Sequence, residues 1–178
     1  MFDIDFSDIS VLRENHRESY AEEGIPLTYL GFIAKAVAMT IPEVPTINAK
    51  VSADGQRVIY NEDVNLGIAV ALDEGLVVPV IRQANQQSLR QLSRAVSQLA
   101  QRAKSQTLAV DDVGEGTFTI TNPGVFGSIF GMPIIHQPQV AILCVGAIEK
   151  RPTVVDGSDR IEARPRCYVT LGFDHRLI

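Results

Sequence analysis

The chain has 178 residues, of which 46% are hydrophobic and 6% aromatic with no Trp, so its core is predicted to be aliphatic. A net charge of −5, without a block of Lys or Arg, argues against nucleic acid or an anionic membrane surface as a partner. The longest apolar run, residues 27–41, is shorter than a bilayer requires, and the acidic start Met1-Phe2-Asp3 does not resemble a secretory leader. These features predict a soluble intracellular protein.

The chain begins with a predicted strand and two helices. Apolar and polar residues alternate over residues 2–6, which predicts a strand with one buried face. A polar helix is predicted over residues 8–23, and Gly24 and Pro26 end it. Residues 27–41 are apolar nearly all round, which indicates a helix buried on most sides.

Four β-runs follow in two pairs, each joined by a turn that contains Gly: residues 47–52 and 57–60, then residues 64–72 and 76–81. Asp54-Gly55 supplies the positive φ angles of the first turn, and Asp73-Glu74-Gly75 forms the second. The 64–72 run places large side chains on one face and Asn, Gly and Ala on the other. The 76–81 run is predicted to be buried, and Pro79 marks an edge or a bulge within it.

The second half opens with the clearest helix signal. Ser88 and Gln91 match a capping box, and the helix that follows is apolar along one face as far as Ala103. Buried strands are then predicted from Thr117, over residues 140–148 and over residues 166–173, with a turn at Asp156-Gly157. Because strands and helices mix without regular alternation, we predict an α/β protein of the α+β type, with a mixed, mostly antiparallel sheet flanked by helices.

Few side chains in this sequence are suited to catalysis. Cys144 and Cys167 lie in apolar runs, which predicts buried, reduced thiols. His16 falls in the polar helix and His136 in a loop, so structural or solvated roles are favoured for both. No pair of cysteine and histidine has the spacing of a tight ligand pair, so we expect no metal site.

Two strand ends carry groups that acyl transfer requires. Thr121 precedes the turn Asn122-Pro123-Gly124, and His175 ends the last strand between Asp174 and Arg176. An imidazole with a pKa near 6.5 is a competent base at neutral pH, and a hydroxyl can donate to an oxyanion. Taken locally, both side chains also suit structural roles, so the pattern leaves both interpretations open.

Seven blocks add a resemblance that covers nearly the whole chain: residues 64–70, 75–81, 116–122, 127–128, 133–135, 137–143 and 173–178. In order and spacing they resemble the dihydrolipoamide acyltransferases, which form the cores of 2-oxo acid dehydrogenase complexes. The last block, Phe173-Asp174-His175-Arg176, resembles the start of that family's Asp-His-Arg motif. The combination of several blocks is far more specific than any one of them.

The resemblance implies a fold like that of chloramphenicol acetyltransferase, assembled as trimers and, in some members, as cubic or dodecahedral cores of twenty-four or sixty subunits. It implies coenzyme A as a substrate, a lipoyl group on a separate domain as acyl carrier, and no metal. The implied partners are a 2-oxo acid decarboxylase and dihydrolipoamide dehydrogenase, without nucleic acid or membrane. The compartment would be the bacterial cytoplasm or the mitochondrial matrix.

The resemblance also assigns roles to the two strand ends. His175 of one subunit would be the general base, and the Thr121 hydroxyl of the next would stabilise the tetrahedral oxyanion. Supporting roles would fall to Asp174, Arg176, Asn122 and Gly124. Residues 1–178 would form a single acyltransferase catalytic domain truncated at both ends, since the family's arginine-containing helix and the residues after its Asp-His-Arg motif are not in this sequence.

Alternatives stay open at this stage. One is a stand-alone acyl-coenzyme A-dependent acyltransferase of the same fold with another acceptor, and another is an inactive assembly core. The acyl group is open as well. The block around Thr121 suggests succinyl transfer, whereas Asn122-Pro123-Gly124 and residues 148–152 suit acetyl or branched-chain members.

Overall fold

The computed structural model describes residues 1–73, 75–155 and 157–178, and a seven-stranded mixed sheet is its main feature. Its α-helices are α1 (Ser7–Ala21), α2 (Tyr29–Thr40) and α3 (Leu89–Lys104). Its strands are β1 (Phe2–Asp5), β2 (Ala49–Val51), β3 (Val58–Tyr60), β4 (Leu66–Ile68), β5 (Val70–Leu72), β6 (Gly75–Val77), β7 (Val80–Ile81), β8 (Phe118–Thr121), β9 (Ala141–Val145), β10 (Glu149–Val154) and β11 (Ile161–Phe173). Glu74 and Asp156, on which two predicted turns fall, lie outside the described residues.

The main sheet has the strand order β1-β11-β9-β8-β4-β7, and β10 pairs with the first half of β11. The central pairs β4–β8 and β8–β9 are parallel, and the flanking pairs are antiparallel. The prediction of a mixed, mostly antiparallel sheet flanked by helices is therefore confirmed. Among the described residues, no helix is long and apolar enough to cross a membrane.

Two β-runs differ from their predicted form. The 64–72 run is two strands, because after Ala69 donates to the Ile120 carbonyl at 2.9 Å the chain leaves β8, and β5 pairs with β6. The 76–81 run is interrupted at Pro79, as its sequence suggested, and the Pro79 carbonyl accepts from Ile68 at 2.9 Å. Leu76 is 67% exposed, so the expectation that this whole run is buried was wrong.

The structure confirms two predictions that depended on short sequence motifs, the start of α3 and the β2–β3 hairpin. Ser88 Oγ accepts from the backbone of Gln91 at 3.2 Å, and Gln91 Oε1 accepts from the backbone of Ser88 at 2.8 Å. This reciprocal capping box fixes the start of α3. The Asp54-Gly55 hairpin is also confirmed, since β2 and β3 pair antiparallel and Gly55 has a φ of 71°.

The first elements are more exposed than predicted. Phe6 is buried, but Phe2 is 65% exposed because β1 is an edge strand that the helices do not cover. Along α1 only Tyr20 is buried, and His16 is exposed. In α2 the side of Ile33, Ala34 and Ala38 is buried and Met39 is exposed, so this helix is covered on one side rather than on most.

The two faces of the sheet are covered differently. The helix face packs against α2 and α3 and carries the core, with large apolar side chains from four strands: Leu66, Ile68, Phe118, Ile120, Val145, Val169 and Leu171. Register places Thr119, Thr121, Ile142, Cys144 and Thr170 on the opposite face, which we call the loop face. There Pro133 approaches Gly172 and Gly131 approaches Cys144, so the segment after β8 lies over the sheet in place of a helix.

Candidate active site

The first predicted site residue, Thr121, is the last residue of β8 and is half-buried. Its neighbour in the sheet is Cys144 of β9, and Cys144 is in turn paired with Thr170 of β11. Asn122 follows with a φ of −130°, and residues Pro123–Phe126 form a single turn of 3-10 helix. The predicted strand, the hydroxyl at its end and the turn are thus all present.

Close backbone packing fixes the position of this strand end. A Cβ atom added at Gly124 would lie 2.3 Å from the Gly146 carbonyl group, and one at Gly146 would lie 1.9 Å from the Ile129 carbonyl oxygen. Ala147 also donates to the Ser128 carbonyl at 2.8 Å. Only glycine permits such an approach of two backbones, so Gly124 and Gly146 hold the chain after Thr121 against the end of β9.

The second predicted site residue, His175, lies in an exposed turn after β11. The ladder with β9 extends one step beyond the strand, since Asp174 donates to the Val140 carbonyl at 2.8 Å. The Asp174 carbonyl then accepts from Leu177 at 3.0 Å, which closes the turn. The His175 ring meets the Phe173 ring edge-on, with centroids 5.6 Å apart.

Asp174 and Arg176 pair with each other across this turn. Asp174 Oδ1 accepts from the Arg176 backbone at 3.1 Å and from its Nε at 3.0 Å, and Oδ2 accepts from Nη2 at 2.6 Å. The hydrogen bonds from the Arg176 side chain and backbone lower the pKa of Asp174 from 3.8 to about 2. The carboxylate is therefore charged at neutral pH and engaged with Arg176, while the imidazole between them is exposed.

One chain does not bring Thr121 and His175 together. In register Thr121 is level with Thr170, and His175 lies five positions further along the chain from Thr170. At ~3.3 Å per residue this displacement is roughly 16 Å along the strands, in addition to two strand spacings of ~4.8 Å across the sheet. β8 and β11 run in opposite directions, so their carboxyl ends lie at opposite ends of the sheet.

Each end of the sheet opens on its own cavity. A cavity of about 800 Å³ is lined by Asn122 and Gly124 together with side chains of α2 and α3. A smaller cavity of about 350 Å³ is lined by Asp174 and Arg176 together with the β2–β3 hairpin. The proposed supporting residues line these cavities, whereas Thr121 and His175 are not among the residues that line either one.

The remaining candidate residues are the two cysteines and His136. Cys144 and Cys167 are buried and unbridged, as predicted, and burial raises the pKa of each thiol. His136 lies in a loop and lines a polar cavity of about 650 Å³, with its Nδ1 3.4 Å from Gln139 Nε2. Within the described residues, no group of three His, Cys, Asp or Glu side chains is placed to hold a metal ion.

Sequence reasoning missed two residues that shape this region. Gln139 is buried, accepts from Thr119 Oγ1 at 2.6 Å and donates to the Gly116 carbonyl at 3.1 Å. These hydrogen bonds connect the chain just before β9 to β8 and to the residue that precedes it. A polar residue directly before the buried run 140–145 was the available signal for it. Nothing in the sequence indicated the role of Gly146, because the residues that its backbone contacts are distant from it along the chain.

The chain is similar to known proteins in both its sequence and its fold. Residues 1–178 match the family described as 2-oxoacid dehydrogenases acyltransferase (catalytic domain). The chain is 42% identical to the dihydrolipoyllysine-residue succinyltransferase component of the 2-oxoglutarate dehydrogenase complex of Bartonella vinsonii subsp. berkhoffii, covering 99% of this chain and 42% of that protein. It is 43% identical to the dihydrolipoyllysine-residue acetyltransferase component of the pyruvate dehydrogenase complex of Mycobacterium bovis, covering 99% of this chain and 32% of that protein.

Solved structures agree with the sequence match. The dihydrolipoamide acetyltransferase of Azotobacter vinelandii, studied for the roles of a serine, a histidine and an asparagine in its mechanism, superposes with a TM-score of 0.94 at 33% identity, covering 99% of this chain and 72% of that chain. The cubic core of the pyruvate dehydrogenase multienzyme complex gives the same TM-score, identity and coverage. A chloramphenicol acetyltransferase, at 13% identity, a TM-score of 0.51 and coverage of 83% and 69%, shares the fold.

Family membership follows from these matches. The family description covers every residue of the chain, and the resemblance of the seven sequence blocks is thereby confirmed. The chain spans less than half the length of each of the two curated relatives that it matches. The chain belongs to the family of 2-oxoacid dehydrogenase acyltransferase catalytic domains.

Proposed function

We propose that the protein transfers an acyl group between dihydrolipoamide and coenzyme A, as the core component of a 2-oxo acid dehydrogenase complex. The observation that carries the proposal is the placement of Thr121 at the end of β8 and of His175 just after β11, at opposite ends of the sheet. Within a sheet of this family, such a placement suits a site that two neighbouring subunits complete. The succinyl- and acetyltransferase relatives, named for their lipoyl-lysine substrates, support the same reaction.

His175 is proposed as the general base. Thiols have an unperturbed pKa of about 8.5, so most of the attacking thiol is protonated at neutral pH. The exposed imidazole would accept that proton as the sulfur attacks the thioester carbonyl, and it would return the proton to the departing thiolate. Because both thiols can be bound at once, the acyl group passes directly from one sulfur to the other and no covalent acyl-enzyme is needed.

Thr121 is proposed to stabilise the intermediate. Attack on the thioester makes a tetrahedral carbon with a negatively charged oxygen, and a hydroxyl held nearby can donate to it. The fixed position of Thr121 at the end of β8 favours this role, since a preorganised donor needs little rearrangement during the reaction. A serine is among the residues studied in the mechanism of the Azotobacter enzyme, and a threonine supplies the same hydroxyl.

Four neighbours are proposed to support these two groups: Asp174, Arg176, Asn122 and Gly124. The Asp174–Arg176 pair would hold the turn that presents His175. Gly124 would hold the segment after Thr121 against Gly146, and Asn122 begins that segment.

The assembly is proposed to be a trimer or a larger particle built of trimers. The cubic core of a pyruvate dehydrogenase complex, which this chain superposes on, supports an oligomeric core. A separate lipoyl-bearing domain would deliver the acyl group, and a 2-oxo acid decarboxylase and dihydrolipoamide dehydrogenase would be the partner enzymes. The compartment would be the bacterial cytoplasm or the mitochondrial matrix, since some relatives are mitochondrial.

Sequence identity does not show whether the transferred acyl group is succinyl or acetyl. A succinyltransferase and an acetyltransferase are nearly equally similar to the chain, at 42% and 43% identity. A direct test measures transfer from acetyl-, succinyl- and isobutyryl-coenzyme A to dihydrolipoamide. We expect turnover with one of the three to exceed that with the others at least tenfold.

Varying the acyl acceptor in the same assay tests the two alternatives, a stand-alone acyltransferase and an inactive assembly core. Transfer to a different acceptor, with dihydrolipoamide inactive, would favour a stand-alone acyltransferase. Absence of turnover with every donor, combined with normal assembly, would favour a structural core and contradict the proposed function.

A further inference from the structure

We propose that Gln139 is a positioning residue for His175. Its side chain is only 6% exposed and holds the chain just before β9, which in turn holds the turn that carries His175. The inference rests on the proposed function, because it takes His175 as the general base. It adds a residue that sets the position of this base and acts on the reaction through it.

Gln139 joins three other parts of the chain. Its Oε1 accepts from Thr119 Oγ1 on β8 at 2.6 Å, and its Nε2 donates to the carbonyl of Gly116, which precedes β8, at 3.1 Å. Its backbone forms a β-bridge with Lys50 of the β2–β3 hairpin. The amide oxygen and the amide nitrogen therefore both have partners, and a buried polar side chain that is satisfied in this way is held in one orientation.

The residue after Gln139 supports the turn that carries His175. The Val140 carbonyl accepts from the Asp174 backbone at 2.8 Å, and Asp174 directly precedes His175. Val140 is itself buried, and Gln139, Val140 and Asp174 line the same cavity of about 350 Å³. One residue and one hydrogen bond thus connect the Gln139 side chain to the His175 turn.

The His175 turn depends on this connection. Among the residues that the structure describes, the bond from Asp174 to Val140 is the one hydrogen bond between residues 174–178 and a distant segment. The other hydrogen bonds of these residues stay within the turn. A general base must lie within hydrogen-bond reach of the proton that it accepts, and a displacement of ~1 Å can lower a rate by about 10²-fold.

The test measures kcat and KM in four proteins: the unmodified chain, Gln139→Met, His175→Ala and the double variant. Met has nearly the length and volume of Gln but lacks its amide. We expect Gln139→Met to lower kcat at least tenfold when His175 is present, with a smaller change in KM. In the His175→Ala background the same substitution should change kcat less than twofold, because a residue that acts through the imidazole has no effect once the imidazole is absent.

Leu92→Ala is the control for general destabilisation, since it truncates a fully buried side chain of α3. It should lower the unfolding midpoint, and it should change kcat by the same factor in both backgrounds. Equal losses for Gln139→Met in the two backgrounds would mean that its role is only structural and would overturn the inference. An unchanged kcat with His175 present would overturn it as well.

A second measurement does not depend on activity. Hydrogen–deuterium exchange of the backbone amides of residues 174–178 should be at least tenfold faster in Gln139→Met, whereas exchange of residues 89–104 in α3 should be unchanged. Unchanged exchange at residues 174–178 overturns the inference. An unmodified protein without transferase activity, whose turn nevertheless exchanges faster in the variant, contradicts the proposed function and supports the link between Gln139 and the turn.

If Gln139→Met does not fold, Thr119→Val takes its place in both measurements. This substitution keeps the shape of the side chain and removes the hydroxyl that donates to Gln139, which keeps its bond to Gly116. We expect at least a threefold loss of kcat when His175 is present and none in the His175→Ala background. A loss of the same size in both backgrounds, or no loss in either, overturns the inference.

Discussion

The two ends of the sheet present their functional groups in different ways. Thr121 is half-buried at the end of a central strand, and the chain after it packs backbone to backbone against Gly146. His175 is exposed in a turn that an Asp174–Arg176 pair closes. Within one chain, packing between segments distant in sequence fixes the position of the Thr121 hydroxyl, whereas a turn held by neighbouring residues presents the His175 imidazole. Such a division is expected where a neighbouring molecule completes the site.

The largest expected effect comes from removing the imidazole. His175→Ala should lower kcat for acyl transfer by roughly 10²–10⁴-fold, the usual range for loss of a general base. Because His175 is exposed, the thermal unfolding midpoint should change little. His136→Ala, also at an exposed loop histidine, should keep kcat within a few-fold of the unmodified protein. Equal losses in the two variants would refute a special role for His175.

At the other end of the sheet, Thr121→Ala should lower kcat by roughly 10²–10³-fold, because it removes one donor to the oxyanion. Thr121→Ser restores a hydroxyl and should recover most of that activity. The KM for each thiol substrate should change less than kcat if the contact forms mainly in the transition state. A serine variant as slow as the alanine variant would mean that Thr121 acts through packing.

The backbone packing at the Thr121 end can be tested through stability. In Gly124→Ala the new Cβ would lie 2.3 Å from Gly146, so the two segments must separate. We expect a loss of about 1–3 kcal/mol in the free energy of unfolding, measured by urea denaturation, together with reduced kcat. Gly55→Ala is the control, since no atom lies within 4 Å of its added Cβ and only its φ of 71° opposes the change.

The turn at the His175 end should respond to acid at an unusually low pH. The pKa of Asp174 is lowered to about 2, so the contribution of its charge to the turn is complete above pH ~4 and is lost as the pH falls through about 2. A carboxyl-carbon NMR titration should find Asp174 still ionised at pH ~3.5. In Arg176→Gln the midpoint should rise towards the ordinary value near 3.9. An Asp174 midpoint near 4 in the unmodified protein would show that the ion pair is not formed in solution.

Local chemistry made much of the fold predictable from sequence. The capping box at Ser88, the Asp54-Gly55 hairpin and the strand that ends at Thr121 each depend on neighbouring residues, and each is present. The break between β4 and β5 was not predictable, because alternation continues through Ala69 while the pairing partner changes.

The residues of the candidate site were selected by resemblance and their roles stay predictions, whereas their positions within one chain required the structure. Family resemblance selected Thr121 and His175, but their placement at opposite ends follows from the antiparallel pairing of β9 and β11, which a single sequence does not reveal. The exposure of Phe126 and Ile134 could not be read from the chain either, since apolar residues in a run of this kind predict burial.

The central claim is that two subunits complete one site, and subunit mixing tests it most directly. Thr121→Ala and His175→Ala, each inactive alone, are mixed in equal amounts, dissociated and reassembled into hybrid oligomers. If Thr121 and His175 act from neighbouring subunits, random assembly makes about a quarter of the interfaces complete, and about a quarter of the unmodified activity should return. Hybrid oligomers of normal mass that stay inactive would contradict the account.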